Sequence, residues 1–164
     1  MSTREIIRFE SSSIKLGVMD SQIASVRTQT EEQTAVRYID AGHVGLASAV
    51  GRADLDALTA SAKESLLFEI PYPVDPETDS AWEAEHLGES HDVASLQKMA
   101  EAVLGELRTQ YPQFVFSHGV EQNEVGWSID SDAGLDLRYR RVTTQMAFIV
   151  KEKGSGNIID TFVG

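Results

Sequence analysis

The stretch from Val36 to Val50, VRYIDAGHVGLASAV, constrains the fold of this chain more than any other segment. Its β-branched and aromatic residues predict two short strands, and Asp40-Ala41-Gly42 supplies a tight turn between them. A helix is predicted directly afterwards, from Arg52 to Phe68, because apolar residues recur there at a 3-4-4 spacing that marks one helix face. Asp54 stands where a carboxylate can accept the free N–H groups of the first turn. The stretch therefore predicts a hairpin that leads straight into a helix.

The residues before this hairpin predict further strands. Apolar and polar residues alternate from Ile14 to Val18, which is the period-2 pattern of a half-buried strand. A turn is predicted at Met19–Gln22, a second strand from Ile23 to Thr30, and another reversal at Glu31-Glu32-Gln33. These connections are too short for parallel crossovers, so they predict an antiparallel meander.

The second half of the chain predicts one helix and a return to strands. Asp92 is the expected N-cap of a helix that runs to Gln110, where Tyr111-Pro112 stops it. Alternating residues then follow from Phe114, with a strong turn at Asp130–Gly134 and a final strand from Ile158 to Val163. The whole pattern predicts an α+β fold: a twisted, mostly antiparallel sheet with two α-helices packed on one face.

We expect a single domain over residues 1–164, because this length can bury a real core. Residues 72–91 carry many acids and are predicted to form an acidic surface loop, which is either functional or a spacer. Two patterns in this region imitate metal sites. His86 and His91 lack a glutamate at the position that a zinc helix needs, and Asp75, Glu77 and Asp79 are not followed by the glycine and glutamate of a calcium loop. We therefore predict no metal site.

Charge and composition exclude several classes of protein. The chain has 26 acidic and 14 basic residues, for a formal charge of −12. Such a chain is repelled by phosphate backbones and anionic membranes, so we expect neither nucleic acid nor membrane as a partner. It contains no cysteine, which excludes disulfides and thiol nucleophiles. We expect a soluble cytoplasmic protein.

Two segments in this order resemble one known family. The first is VRYIDAGHVGLASAV with the helix ADLDALTASAKESL behind it, and the second is SIDSDAGLDLRYRRVTTQMAFIV. Together they are similar to the N-terminal domain of the TldD/PmbA family, proposed modulators of DNA gyrase. The resemblance runs from about Ile14 to Gly164.

The resemblance implies a bacterial or archaeal zinc metallopeptidase that acts on unfolded peptides as paired subunits. The family's zinc motif, His-Glu-x-x-x-His, belongs to a C-terminal domain and does not occur in this sequence. The chain ends about where the first domain of such a protein would end. We therefore expect no catalytic residue, no cofactor and no metal ligand here, with zinc only in the C-terminal domain.

Two functions remain open. One is a non-catalytic domain of a TldD/PmbA-like metallopeptidase, placed at a substrate channel or a subunit interface in a homo- or hetero-oligomer. The alternative is a free-standing module that binds a protein or peptide without catalysis. In either case the expected partner is an unfolded peptide or another protein, which could add as a strand to an exposed edge such as Ile158–Val163.

The candidate contact residues are His43, Arg138 and Arg140. His43 follows the hairpin turn and could contact a peptide or a partner domain, although a turn histidine is more often simply exposed. Arg138 and Arg140 share one strand face and could hold a carboxylate, or pair with acids across the sheet.

Overall fold

A computed structural model describes residues 2–72, 80–155 and 159–163. Seven strands form one sheet, in which six follow the order β3-β2-β1-β5-β6-β4 and β7 pairs with β6. The predicted α+β fold is confirmed by this sheet and two α-helices. The strands are β1 Thr3–Met19, β2 Gln22–Asp40, β3 His43–Val50, β4 Ala81–Leu87, β5 Phe114–Ser131, β6 Asp136–Glu152 and β7 Ile159–Val163, and the helices are α1 Leu55–Glu64 and α2 Val93–Gln110.

Two predicted turns are confirmed, and each joins neighbouring strands through two residues. Asp20 and Ser21 link β1 to β2 with φ of 48° and 63°, and Ala41 and Gly42 link β2 to β3 with φ of 49° and 79°. Positive φ at both central residues matches the right-handed twist of the strands that such a turn connects. The second turn sets the antiparallel register of β2 and β3, in which Asp40 faces His43 and Thr34 faces Ala49.

Two predictions are corrected. The reversal at Glu31-Glu32-Gln33 is wrong, because β2 continues through it as one strand of 19 residues. The acidic loop over residues 72–91 is wrong where Ala81–Leu87 form β4, a strand that is mostly exposed. Glu31-Glu32-Gln33 are all polar, and the apolar residues of β4 fall on both of its faces, so neither segment shows the alternation that identifies a half-buried strand. Residues 73–79, with Asp75, Glu77 and Asp79, lie outside the described residues.

Both helices begin at the predicted caps. The Asp54 carboxylate accepts from the N–H groups of Asp56 at 3.0 Å and Ala57 at 3.2 Å. The Asp92 carboxylate accepts from the Ser95 N–H at 2.7 Å. The first helix is shorter than predicted, since α1 ends at Glu64 and the chain continues as a 3₁₀ helix, Ser65–Phe68.

Residue contacts divide the chain into two compact units. Unit 2 comprises residues 12–29, 87–124 and 142–164, and it contains α2. The buried side of α2, with Leu96, Ala100 and Leu104, packs in a cluster with Leu16 of β1. In the same cluster Phe116 and Phe148 meet edge to face, with ring centroids 6.3 Å apart. This cluster is the core of unit 2.

Unit 1 comprises residues 1–11, 30–86 and 125–141, and α1 packs on β3 within it. The contact is so close that a side chain at Gly45 would overlap the Ala62 carbonyl oxygen. Val36, Ile39 and Val44 are buried in this unit. Strands β1, β2, β5 and β6 contribute residues to both units. The single domain over residues 1–164 stays a prediction.

Candidate protein-interaction site

The outer edge of β3 is one end of the strand order β3-β2-β1-β5-β6-β4 and belongs to unit 1. In the register set by the hairpin, the backbone N–H and C=O groups of His43, Gly45 and Ala47 form hydrogen bonds with β2. The backbone groups of the residues between them therefore point outward, away from β2. Two outward positions have partners from the segment after α1. The Val44 N–H donates to the Ile70 carbonyl at 2.9 Å, and the Leu46 N–H donates to the Ser65 hydroxyl at 2.6 Å.

The next outward position is Ser48. The Ser65 hydroxyl also donates to the Leu46 carbonyl at 3.2 Å, and there the cover from the 3₁₀ helix ends. Nothing in the described part of the chain bonds the outward N–H and C=O of Ser48. An uncovered N–H and C=O on a sheet edge can pair with an added extended chain.

Exposed apolar side chains lie on β3 and on the segment that follows α1. Leu46 and Val50 of β3 are 50% and 74% exposed, and Leu67 and Phe68 of the 3₁₀ helix are 87% and 77% exposed. Ile70, which bonds β3, is 43% exposed. We call these five residues the apolar edge. An exposed apolar group of this size beside an open strand is typical of a protein-binding surface.

Strand alternation separates the parts of this surface. Gly45 faces α1, so Leu46 and Val50 lie on the opposite face of β3.

The segments that flank the apolar edge are rich in acids, which include Glu32, Glu64 and Glu69. Among nearby cations, Lys63 is engaged with the Tyr38 ring, its ammonium 4.8 Å from the ring centroid. The surroundings therefore favour a partner segment with basic residues.

The three predicted contact residues do not form one site. His43 is the first residue of β3 and bridges to Pro71, so it lies on the strand that carries the apolar edge. Arg138 and Arg140 lie on β6. Arg138 pairs with Asp136, its Nε 2.9 Å from the carboxylate, and the hydrogen bond to Asp136 raises the pKa of the guanidinium. The ion pair of Arg138 is therefore a pair within one strand and not a pair across the sheet.

A row of rings occupies another face of unit 1. Trp127 of β5 stacks on Trp82 of β4 and on Tyr139 of β6, with centroids 6.2 Å and 5.7 Å apart. His86 of β4 meets Tyr139 edge to face at 6.0 Å. Arg138 lies on the other side of β6 by strand alternation. The row joins three strands and leaves Trp82 half exposed.

The two histidines of the zinc-like pattern, His86 and His91, interact with neighbouring residues of the fold. His86 belongs to the ring row, and the backbone of His91 is held by buried Gln122, which accepts from its N–H at 2.7 Å and donates to its carbonyl at 2.9 Å. No group of three or more His, Asp or Glu residues that could hold a metal ion occurs in residues 2–72, 80–155 and 159–163. These described residues thus offer no set of ligands for zinc.

Sequence reasoning did not identify the apolar edge. Leu67 and Phe68 fall inside the predicted helix Arg52–Phe68, but they do not belong to the apolar face that its 3-4-4 spacing marks. The signal that could have identified them is the pair Leu66-Leu67 with Phe68, because three consecutive apolar residues cannot all lie on one helix face.

Comparisons with known proteins support the fold. No protein-family profile and no curated protein matches the chain. Among solved structures, a proposed modulator of a DNA gyrase from Thermotoga maritima is similar with a TM-score of 0.69 and 11% identity, over 96% of this chain and 37% of that one. TldE from Thermococcus kodakarensis gives a TM-score of 0.64 and 13% identity, over 95% and 37% of the two chains.

A third structure, a proposed modulator of DNA gyrase from Bacteroides thetaiotaomicron, gives a TM-score of 0.63 and 13% identity, over 94% and 38% of the two chains. This chain therefore spans well under half the length of the proteins it matches. Neither α1 nor α2, nor any other described helix, is long and apolar enough to cross a membrane. The predicted resemblance is confirmed in the fold, which this chain shares with TldE and two proposed modulators of DNA gyrase.

Proposed function

We propose that this chain is a non-catalytic domain of a TldD/PmbA-like metallopeptidase and that its apolar edge binds an extended polypeptide segment. The observation that carries the proposal is the open backbone of Ser48 beside five exposed apolar side chains. The segment adds to β3 as an antiparallel or parallel strand, and its apolar residues cover Leu67 and Phe68. This is β-strand addition, in which backbone hydrogen bonds supply affinity and side chains supply specificity.

Burial of the apolar edge by a partner contributes favourable free energy to binding. Full burial of a leucine or phenylalanine side chain contributes about 1.5–3 kcal/mol each. Leu67 and Phe68 are 87% and 77% exposed, so almost all of their surface can still be buried by a partner. These two side chains are therefore expected to dominate binding.

The acidic surroundings select the partner. The chain carries a formal charge of −12, and Glu64 and Glu69 flank the 3₁₀ helix on either side. A segment that alternates apolar and basic residues places the former on Leu67 and Phe68 and the latter near these carboxylates. We propose that the occupant is an unfolded peptide, or an extended segment of a different protein chain, with this pattern.

The assignment as a non-catalytic domain rests on two observations: the length of the matched structures, and the absence of a group of metal ligands among the described residues. The matched structures are more than twice as long as this chain, which leaves room in such proteins for a separate catalytic part. The described residues do not fit a zinc site, so we assign them no step of peptide cleavage. On this proposal any zinc chemistry belongs to another domain.

Nuclear magnetic resonance of the whole chain tests the apolar edge. The probe is a synthetic peptide of alternating valine and lysine, and its addition should shift the amides of Ser48 and Val50 and slow hydrogen exchange at Ser48. The double variant Leu67→Ser/Phe68→Ser should weaken binding at least tenfold, an effect on the order of that of a binding hot spot. Met19→Ser, which alters another exposed apolar residue, is the matched control and should bind as wild type.

Three outcomes would overturn the proposal. One is unchanged peptide binding in the double variant, and another is self-association through Leu67 and Phe68 in sedimentation, which would make a second copy the occupant. The third is zinc-dependent peptide cleavage by the chain that is lost when His86 and His91 are replaced by alanine, since this would make the domain catalytic.

A further inference from the structure

A cavity of about 290 Å³ opens on unit 2, and its lining residues do not include those of the apolar edge. Two glycines help to form it. A side chain at Gly119 would overlap the Leu16 carbonyl oxygen, and one at Gly17 would overlap the Ser25 hydroxyl. The backbones of β1 and β5 thus approach closely, and the missing side chains leave the hollow open.

The backbone of β5 is distorted at the same place. His118, which lines the cavity, has φ of 105°, a conformation that residues other than glycine rarely adopt. Its neighbour Gly119 makes the close approach to Leu16. Strained backbone of this kind costs free energy and is concentrated at binding and catalytic sites.

The titratable residues that line the cavity are Lys15, Arg27, His118 and Glu121. Lys15 and Glu121 pair at 2.9 Å, and the hydrogen bond from Lys15 lowers the pKa of the Glu121 carboxyl. Arg27 forms no ion pair with any residue that the structure describes. Arg27 is therefore available to an anion that enters the cavity.

We infer that this cavity binds a carboxylate group of a peptide, held by the guanidinium of Arg27. The planar fork of arginine matches a carboxylate with two parallel hydrogen bonds. With histidine neutral, the four lining groups leave one net positive charge, which suits a singly charged carboxylate. Glu121 disfavours a doubly charged phosphate. The volume is at the lower limit for ligand pockets and fits one or two amino-acid residues.

The same chemistry is offered by a chain terminus and by an acidic side chain. Isothermal titration of the whole chain with three probes distinguishes them: acetyl-trialanine with a free carboxylate, its C-terminal amide, and an amidated acetyl-Ala-Glu-Ala. Binding of the first probe identifies a chain terminus and binding of the third an acidic side chain. Either result supports the inference, provided that the trialanine amide does not bind.

Variants of Arg27 assign the binding to this cavity. Arg27→Gln should weaken binding at least about tenfold, because a charge-assisted hydrogen bond is lost, while Arg27→Lys should retain part of it. Arg52→Gln, an exposed arginine of unit 1, is the matched control and should bind as wild type. Circular dichroism confirms that each variant is folded.

The inference would be overturned by equal binding of the amide, by full affinity in Arg27→Gln, or by inorganic phosphate binding more tightly than the carboxylate probes. It does not depend on the apolar edge. The variant Leu67→Ser/Phe68→Ser should bind the carboxylate probes normally, so failure of one proposal is distinguishable from failure of the other.

Discussion

Glu5 of β1 and Arg37 of β2 form a buried ion pair, with Arg37 Nη2 2.6 Å from Glu5 Oε2. The Glu5 side chain is only 3% exposed and that of Arg37 is 28% exposed. The approach is an ion contact that is not aligned as a hydrogen bond, and Arg37 Nε has no partner among the described residues. The arginine belongs to the stretch on which the family resemblance rests, and the structure gives it a role inside the sheet.

Removal of Arg37 should destabilise the fold. Arg37→Met leaves the Glu5 carboxylate buried without its counter-charge, which typically costs 3–5 kcal/mol, so we expect a loss of about 3 kcal/mol or more. Urea denaturation measures the loss. The double variant Glu5→Leu/Arg37→Met should recover most of it, because both charges are then absent.

The control is Arg52→Met, which alters an exposed arginine and should change the free energy of unfolding by less than about 0.5 kcal/mol. A loss in Arg37→Met that is no larger than in this control would show that the ion pair does not stabilise the fold.

Gly45 should not tolerate a side chain. A Cβ at this position overlaps the Ala62 carbonyl oxygen, so Gly45→Ala must move α1 away from β3, at a cost of about 1–3 kcal/mol. Thermal unfolding measures the change. Gly126→Ala is the matched control, since its Cβ would lie 3.8 Å from the nearest atom, the Tyr139 carbonyl oxygen. Equal effects of the two substitutions would contradict the close packing of α1.

Local chemistry explains which elements could be predicted from the sequence. The turn at Asp40-Ala41-Gly42 and the caps Asp54 and Asp92 depend on neighbouring residues only, and the structure confirms all three. Strand β4 depends on pairing with β6, which lies far away along the chain. Its residues are mostly exposed, so no apolar alternation marks it.

The candidate sites could be predicted only in part for the same reason. His43 was selected by its place beside a turn, and it does lie on the strand of the apolar edge. Leu67 and Phe68 fall inside the predicted helix Arg52–Phe68, and the apolar spacing of that helix does not show where the α-helix gives way to the 3₁₀ helix that exposes them. Arg27 was not selected, since only the fold brings it to a cavity with Lys15 and His118.

The cap of α2 should make stability depend on pH. Hydrogen bonds from Ser95, first its side chain and then its backbone, lower the pKa of the Asp92 carboxyl below its ordinary value of 3.8. A lowered folded-state pKa stabilises the fold fully above 3.8 and loses this effect as pH falls through the lowered value. Wild type should therefore be more stable than Asp92→Asn at neutral pH, and their urea midpoints should converge in strong acid. A constant difference across this range would contradict the assignment.

The stacked rings should contribute a measurable coupling. Trp82 and Trp127 lie 6.2 Å apart with planes at 27°, and such pairs contribute about 0.5–1.5 kcal/mol beyond the area they bury. A double-mutant cycle with Trp82→Leu, Trp127→Leu and the double variant isolates this term from the general loss of burial. Urea denaturation of the four proteins should give a loss in the double variant smaller than the sum of the single losses. Additive losses, within about 0.3 kcal/mol, would show that the two rings stabilise unit 1 independently. Each ring would then contribute only through its own burial, with no coupling between the two.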